Sequence, residues 1–219
     1  MRPLGNTVGS LTPTQHAVLV GSLLGDGTLR RQGKKLNALF EVNHAYKFKD
    51  YVDWKWQHFR DYVLTPPKRR AGNGKRVAYR FTTRSLPIFT NYFLWFYCEG
   101  KKRVPPDLEL DTLSLAVWFM DDGSKSRDAW YFNTQQFSIE EQEFLRALLK
   151  ESFGIECALN RDKQYFRLRV TLQSTVLMSK IIGSYVLPCL RHKLVQDPVT
   201  TESKDKSFST GEANTPTPA

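Results

Sequence analysis

LVGSLLGDG, residues 19–27, is an apolar helical segment that ends on a carboxylate, Asp26, between two glycines. Thr12 and Pro13 predict where this helix begins, because threonine is a good N-cap and proline suits the first helical position. The C-terminus of a helix already carries partial negative charge, so a carboxylate there is unfavourable by a few tenths to about 1 kcal/mol. We therefore expect a positive group close to Asp26, unless this residue is only a polar stop signal.

The order of sequence patterns after this helix occurs twice along the chain. A second apolar segment, LAVWFMDDG at residues 115–123, also ends in acid, at Asp122. Each segment is followed by alternation typical of a hairpin, by helical spacing, by a second hairpin and by a further apolar helix. The sequence therefore predicts a mixed α/β (α+β) fold of two similar halves, residues 12–100 and 101–196. Residues 197–219 are polar and rich in Thr, Ser and Pro, which predicts a disordered tail.

A helix lies between the two predicted hairpins of each half. In the first half it is AYKFKDYVDWKWQHFRDYV, residues 45–63, and in the second half SIEEQEFLRALLKESF, residues 138–153, which opens with a capping box of Ser138 and Glu141. In the first of these helices, the residues at helical spacing, roughly on one stripe, are Tyr51, Trp54, His58 and Tyr62.

The two apolar segments that end in acid are predicted to pack against each other. Gly21 and Gly25 lie one helical turn apart, and each costs about 1 kcal/mol relative to alanine in a helix interior. Such glycines make sense if another backbone comes very close. Ser114, Val117 and Asp121 are the matching positions in the second segment. A crossing along this stripe would bring the two acidic C-terminal ends side by side.

Composition limits the classes of function. The 219 residues include 32 Lys and Arg against 22 Asp and Glu, for a net charge of +10. A polyanion, and nucleic acid first, is the expected partner, and the alternative is a basic protein with no such partner. The chain has no apolar run of membrane-spanning length and no secretory h-region, so neither a membrane nor secretion is expected. Sparse cysteines without a CxxC pair favour a reducing compartment; they are Cys98, Cys157 and Cys189.

Converging carboxylates and helix-end carbonyls predict a metal centre. Such a cluster is electrostatically unfavourable alone, but it becomes favourable around Mg²⁺, which prefers oxygen ligands. A basic protein with an acidic metal centre indicates phosphodiester cleavage, in which metals activate water and stabilise the leaving oxygen. The alternative is that Asp-Gly only ends each helix.

Both acidic segments resemble the two motifs of the LAGLIDADG homing endonucleases, of the single-chain, double-motif type found in yeast mitochondrial introns. Further similarity lies in AYKFKDYVDWKWQHFRDYVLTPPKRR (45–70), NTQQFSIEEQEFL (133–145) and LPCLRHKL (187–194). The resemblance implies two pseudo-symmetric α-β-β-α-β-β-α halves with saddle-shaped antiparallel sheets and a central two-helix interface. It also implies a monomer that cuts both strands of a long double-stranded DNA site. Mg²⁺ is the implied cofactor, with Mn²⁺ substituting and Ca²⁺ binding without supporting cleavage.

The resemblance assigns metal binding to the last acid of each motif, here Asp26 and Asp122, with help from the carbonyls of Gly25 and Asp121. Two adjacent acids end the second motif, so one of them must be chosen. Only one of them can point into the centre, because neighbouring helical positions diverge by about 100°. Alignment of the terminal Asp-Gly selects Asp122.

Basic residues near the scissile phosphates are also implied by the resemblance. They correspond to Lys102, in GKKRVPP, and Lys193, in LRHKL. Such a lysine could stabilise developing charge or orient water. The alternative for each is a lysine that positions a phosphate or is simply solvated.

Polar side chains of the predicted hairpins are the candidate DNA contacts, because Arg, Asn and Gln can read base edges while Lys more often binds phosphates. In the first half they are Arg30, Arg31, Lys34, Lys35 and Asn37, followed by Arg69, Arg70, Lys75, Arg76 and Arg80. In the second half they are Lys125, Arg127, Asn133, Gln135, Arg161, Lys163, Gln164, Arg167 and Arg169.

The sequence thus predicts an intron-encoded, site-specific DNA endonuclease that starts intron homing at a long asymmetric target. One alternative is an RNA maturase that binds intron RNA, and another is a non-catalytic nucleic-acid-binding module on the same fold. Intact Asp26 and Asp122 favour the enzyme, because a pure binding protein has no reason to keep paired acids. Expression inside an organelle, mitochondrion or chloroplast, or in the bacterial cytoplasm, is expected.

Overall fold

A computed structural model describes residues 10–33, 36–72, 76–126 and 129–194. The helices and strands of the first half are α1 (Pro13–Leu24), β1 (Thr28–Arg31), β2 (Ala38–Ala45), α2 (Lys49–Phe59), β3 (Lys68–Ala71), β4 (Val77–Thr82) and α3 (Pro87–Phe96). A short hairpin follows, formed by β5 (Tyr97–Cys98) and β6 (Lys101–Lys102). The second half contains α4 (Thr112–Asp122), β7 (Gly123–Ser126), β8 (Ala129–Phe132), α5 (Ile139–Phe153), β9 (Cys157–Asp162), β10 (Tyr165–Val170), α6 (Leu172–Ile182) and a 3₁₀ helix (Pro188–Lys193).

The two halves have the same sheet topology. The first sheet has the strand order β1-β2-β4-β3 and the second has the order β7-β8-β10-β9, and neighbouring strands are antiparallel. The predicted α-β-β-α-β-β-α order and the antiparallel sheets are confirmed. The predicted division after residue 100 stays a prediction; it falls at the turn of the β5–β6 hairpin. The predicted tail, 197–219, lies outside the described residues.

Local sequence signals set the ends of the central helices. Thr12 caps α1 through a capping box with Gln15, and Asp111 caps α4 through a capping box with Ser114. Both caps satisfy backbone N–H groups that a helix leaves free at its start. The predicted capping box of α5 is also present, with the Ser138 side chain accepting from the backbone N–H of Glu141.

The centre of the molecule is the crossing of α1 and α4, as the glycine pattern predicted. A methyl group placed on Gly21 would lie 2.4 Å from the carbonyl oxygen of Ser114 and 2.7 Å from Cβ of Val117. One placed on Gly25 would lie 2.4 Å from Cβ of Asp121. Glycine is therefore required at both positions, because the α4 backbone and Val117 occupy the space of a side chain at Gly21, and the Asp121 side chain occupies it at Gly25.

Each sheet packs one face against helices and leaves the other face open. In the first half, the Phe40 ring of β2 meets Phe59 of α2 edge-on and stacks with Phe89 of α3, at ring-centroid distances of 5.3 and 6.4 Å. In the second half, the central helix itself covers the sheet, because Trp118 of α4 lies 4.1 Å from Phe132 of β8 between ring centroids. Aromatic packing therefore fixes the first sheet to α2 and α3, and the second sheet to the central helix α4.

The stripe of α2 that spacing indicated is only partly buried. Tyr51 is buried as expected, but Trp54, His58 and Tyr62 are only half-buried. The fully buried stripe is Tyr51, Val52, Lys55 and Phe59. Trp54 and Tyr62 pack against the edge of the core, while Lys55 occupies a core-facing position that hydrophobic periodicity assigns to an apolar residue. Within the described residues, none of the helices is both long and apolar enough to cross a membrane.

Candidate active site

The C-terminus of α1 is bound by a lysine from the β5–β6 hairpin. Nζ of Lys102 donates to the carbonyl oxygens of Gly25 and Gly27 at 2.8 and 2.9 Å. An ammonium group at this end of a helix is stabilising, because free carbonyls carry the negative end of the helix dipole. The positive group expected near Asp26 is therefore present. Burial lowers the pKa of Lys102 to about 8, although the nearby acids oppose this shift.

Backbone geometry fixes Lys102 in place. The turn between β5 and β6 has positive φ at both central residues, 50° at Glu99 and 77° at Gly100. Such a two-residue turn matches the twist of a tight hairpin. Lys102 pairs with Tyr97 across it, and the Tyr97 hydroxyl accepts a hydrogen bond from the backbone N–H of Leu29 at 3.1 Å. The hairpin is thus tied to β1, directly after Asp26.

The C-terminus of α4 is bound by a second lysine. Nζ of Lys193, at the end of the 3₁₀ helix, donates to the carbonyl oxygens of Met120 and Asp121 at 2.7 and 3.1 Å. The carbonyl of Asp122 accepts from the side-chain amide of Asn133 at 2.8 Å. The two lysines therefore hold the carbonyls of Gly25 and Asp121, which the sequence resemblance had assigned to metal.

The terminal acids of the two motifs interact electrostatically. Partial burial, and then the charge of Asp121, raise the pKa of Asp26, whose side chain is 48% exposed. Burial, and then the charges of Asp26 and Asp121, raise the pKa of Asp122 to about 7, while Lys102 and Lys193 oppose the shift. The ionised carboxylates are thus disfavoured by burial first and by their neighbours' charge second, and the nearby lysines offset this only in part. A divalent cation that prefers oxygen ligands would stabilise the ionised form of both.

The other acid of the second motif, Asp121, has a different environment. Its carboxylate oxygens lie 2.7 and 2.8 Å from Nζ of Lys55, and neither side chain is exposed. His44 of β2 lies beside them, with Nε2 3.5 Å from Asp121 and Nδ1 3.5 Å from Asp26. Burial lowers the pKa of His44 to about 4. Asp121 is thus an internal ion-pair partner, whereas Asp122 is half-buried beside it.

Basic side chains occupy the open face of the first sheet. Arg30 donates to Glu41 at 2.8 Å, and Arg80 approaches the same carboxylate at 3.8 Å. Residues opposite each other in an antiparallel pair share a face, so Arg70, opposite Ala78, lies on the face of Arg80. This arrangement presents guanidinium groups on the surface turned away from α2 and α3.

The open face of the second sheet carries a comparable cluster. The guanidinium carbon of Arg167 lies 4.1 Å from the centroid of the Tyr131 ring, and Nη1 donates to Asn133 at 3.3 Å. Arg169 pairs with Tyr131 across β8 and β10, so it lies on the same face. Gln135 donates to Asp162 at 2.9 Å. Stacked arginine, amide and tyrosine groups suit contacts to bases and phosphates.

Strand register divides the predicted DNA-binding residues between the two faces. Side chains that share a face with helix-packed residues, rather than the open face, are Arg31, Arg69, Lys125 and Arg161. Arg31 lies over the Phe93 ring of α3 at 5.1 Å, and Arg69 over the Tyr46 ring at 3.7 Å. Outside the strands lie Asn37, Arg76, Asn133, Gln135, Lys163 and Gln164. Outside the described residues lie Lys34, Lys35, Lys75 and Arg127.

Comparison with known proteins identifies the family. The profile of the LAGLIDADG DNA endonuclease family matches residues 16–178, which include both central helices. The chain belongs to the LAGLIDADG endonuclease family. The fold, the paired acidic helix ends and the two-sheet architecture described above are those of a LAGLIDADG protein in which one chain carries both motifs.

Similar proteins include nucleases and a maturase. A protein of Wickerhamomyces canadensis described as "Probable intron-encoded endonuclease 1" is 29% identical over 205 residues, which covers 85% of this chain and 86% of that protein. Cytochrome b mRNA maturase bI2 of Saccharomyces cerevisiae is 28% identical over 213 residues, which covers 88% of this chain and 50% of the maturase.

Solved structures with the same fold include two homing endonucleases. The structure of I-WcaI bound to its DNA recognition sequence superposes with a TM-score of 0.79 at 26% identity, covering 86% of this chain and 89% of that one. A structure of I-DmoI with DNA and Ca has a TM-score of 0.51 at 16% identity, covering 77% and 88%. The second likeness shows a shared fold.

Lys55 and His44 were missed by sequence reasoning. Both side chains contact Asp121, yet Lys55 and His44 precede it by 66 and 77 positions in the sequence. The available signal was the spacing of Lys55, which falls at helical intervals from Tyr51 and Phe59, both apolar and buried. A lysine on such a stripe needs a buried acid.

Proposed function

We propose that this chain is an intron-encoded, site-specific endonuclease that hydrolyses both strands of double-stranded DNA with a divalent metal. The observation that carries the proposal is the crossing of two helices whose C-termini are each bound by a lysine, with Asp26 directly after the cap of α1 and Asp122 as the last residue of α4. A non-catalytic binding protein has no use for paired acids whose mutual repulsion opposes folding.

Each residue of the centre has a proposed role. Asp26 and Asp122 would hold Mg²⁺, or Mn²⁺ in its place, while Ca²⁺ would bind without supporting cleavage. When bound, the ion supplies an activated water and charge stabilisation at the leaving oxygen. Lys102 and Lys193 hold the carbonyl groups that end the two helices, and so fix the direction of the two acids. Their ammonium groups also place positive charge where a scissile phosphate would lie.

The open faces of the two sheets would bind DNA. Arg30, Arg70 and Arg80 on the first sheet and Arg167 and Arg169 on the second present positive charge on one side of the molecule. Because the two faces carry different residues, the target should be long and asymmetric. A chain with both motifs needs no second copy, so we expect a monomer. Expression in an organelle or in a bacterial cytoplasm is proposed for the intron-encoded protein.

Cleavage of the intron-free site tests this function. The substrate is a duplex made by joining the two exons that flank the gene, and the control is the same duplex interrupted by the intron. We expect double-strand cleavage of the joined exons with Mg²⁺, loss of cleavage on chelation by EDTA, and no cleavage of the interrupted duplex. Cleavage that persists in EDTA would contradict the metal requirement, and binding without cleavage would contradict the enzyme.

A maturase is the second candidate, and the similarity to maturase bI2 over most of this chain supports it. Under this alternative the chain would bind its own intron RNA tightly and raise its splicing rate. Filter binding with the intron RNA and with a scrambled RNA of equal length separates the two functions. Tight, specific RNA binding without cleavage of the joined exons would favour the maturase.

A further inference from the structure

We propose that Lys55 is a positioning residue that keeps the Asp121 carboxylate away from metal, so that the centre uses two acids, Asp26 and Asp122, rather than three. The inference rests on the proposed metal-dependent function. It answers why the second motif ends in two adjacent acids while the first motif ends in one.

Lys55 occupies the whole carboxylate of Asp121. Nζ lies 2.7 Å from Oδ1 and 2.8 Å from Oδ2, so both oxygens are engaged by one ammonium group. Neither side chain has any exposed surface. A carboxylate with both oxygens committed to a buried cation has little left to offer a second cation, and a buried ion pair is strongly destabilised when one partner leaves.

The residues around the Asp121 carboxylate could bind a metal ion if Lys55 were absent. Asp26, His44 and Asp121 each offer one ligand atom, and these atoms lie within 4.8 Å of one another. Imidazole nitrogen and carboxylate oxygen are both common ligands of divalent transition metals. The His44 side chain is 9% exposed and has one ring nitrogen 3.5 Å from each acid. The ammonium group of Lys55 therefore occupies the place that an additional metal ion would take beside Asp121.

The rest of the first half holds Lys55 in place. Its Nζ lies 4.5 Å from the centroid of the Tyr51 ring, one turn earlier on α2, and this contact favours a cation. The Tyr51 hydroxyl donates to the Val117 carbonyl of α4 at 3.4 Å. The position in the first motif that matches Asp121 is Gly25, which has no side chain. The ion pair therefore joins a lysine of the first half to an acid of the second half, and the acid has no counterpart at the matching position of the first motif.

Mn²⁺ binding to the full-length chain tests the proposal independently of cleavage. Electron paramagnetic resonance of free Mn²⁺ during titration gives the number of bound ions and their affinity. We expect Lys55→Met to bind one more Mn²⁺ per chain than the wild type, because it leaves Asp121 free beside His44 and Asp26. Addition of His44→Ala to Lys55→Met should remove the extra ion. An unchanged count in folded Lys55→Met would overturn the proposal.

A neutral pair covers the case in which Lys55→Met alone does not fold. Lys55→Met with Asp121→Asn removes both charges together, and buried ion pairs often tolerate such replacement. We expect this variant to keep the wild-type number of Mn²⁺ ions, with affinity within about threefold, because neither side chain binds metal. Asp122→Asn should weaken binding at least about tenfold, because it removes a ligand. Equal losses in the neutral pair and in Asp122→Asn would refute the role of Lys55.

The outcome also separates this proposal from the function on which it rests. The extra ion in Lys55→Met is counted relative to the wild type, whatever number the wild type binds. A wild type that binds no Mn²⁺ would refute the metal-dependent function, while the gain or absence of an ion in Lys55→Met would still decide the role of Lys55.

Discussion

The two central helices both have an acid and a lysine at their C-termini, but different structural elements supply the lysine. At the end of α1, Asp26 follows a glycine, and the lysine that binds the helix end comes from a hairpin with a two-residue turn. At the end of α4, Asp122 follows a second acid, and the lysine comes from a 3₁₀ helix. What the two halves share is an acid and an ammonium group at a helix C-terminus. The surrounding structure of each half is free to differ.

The largest expected effect comes from removing either terminal acid. Asp26→Asn and Asp122→Asn should each lower cleavage by on the order of a thousandfold or more, because several kcal/mol of transition-state stabilisation are lost with a metal ligand. Affinity for the DNA target should stay within about tenfold, since phosphate contacts dominate affinity. Single-turnover cleavage and fluorescence anisotropy measure the two quantities. If one variant still cut as fast as the wild type, the two helix ends would not be equivalent.

Removal of either lysine should have a smaller effect that distinguishes the halves. Lys102→Met and Lys193→Met should each slow cleavage by about tenfold to a hundredfold, as is typical when a group that orients a metal ligand is lost. Because the lysines bind different helix ends, the slowed strand should differ between the two variants. Duplexes labelled on one strand or the other report which nicked intermediate accumulates. Accumulation of the same nick in both variants would show that the lysines do not serve separate strands.

Neighbouring residues of α1 should respond to alanine with opposite sign. Gly21→Ala should lower the free energy of unfolding by about 2 kcal/mol, because the added methyl meets the α4 backbone and overpacking outweighs the gain in helix propensity. Ser22 is fully buried, and its Oγ has no hydrogen-bond partner among the described residues. Ser22→Ala should therefore raise the free energy of unfolding by about 1 kcal/mol. Urea denaturation measures both. A Gly21→Ala variant as stable as the wild type would contradict the close crossing of the helices, and a less stable Ser22→Ala variant would contradict the unpaired hydroxyl.

The smallest expected effect compares two adjacent arginines of β3. Arg70 lies on the open face with Arg80, whereas Arg69 stacks over Tyr46 on the helix-packed face. Arg70→Ala should reduce the slope of log affinity against log salt by about one unit, because one phosphate contact is lost. Arg69→Ala is the matched control and should leave the slope unchanged. A loss of slope in Arg69→Ala alone would mean that DNA lies on the other side of the sheet.

Much of the fold could be predicted from the sequence because its signals are local. The Gly21 and Gly25 pair predicted the helix crossing, and the strand alternation predicted the hairpins. The resemblance of LRHKL led to Lys193, which the structure brings to the end of α4. Lys55 could not be placed in this way, because its partner is 66 residues away and only folding joins them. Composition counted it only as one of the 32 lysines and arginines.

The face of each sheet residue was also beyond the sequence reading. Arg69 and Arg70 are adjacent and equally basic, and only the register of β3 against β4 separates them. The period of a strand is two, so a shift of one residue in the register would exchange their faces. A list of basic hairpin residues therefore contains both kinds.

The glycine stripe of α1 has a consequence for building chimaeric nucleases. The two sides of the central crossing are unlike, with Gly21 and Gly25 on α1 set against Val117 and Asp121 on α4. A self-complementary interface needs the same patch on both partners, and here a second α1 would leave a gap while a second α4 would clash. Neither half should therefore pair with its own copy. A half taken from a relative would pack here only if its central helix had the complementary pattern of small and large residues. Recombination between such proteins is therefore restricted at the crossing of α1 and α4.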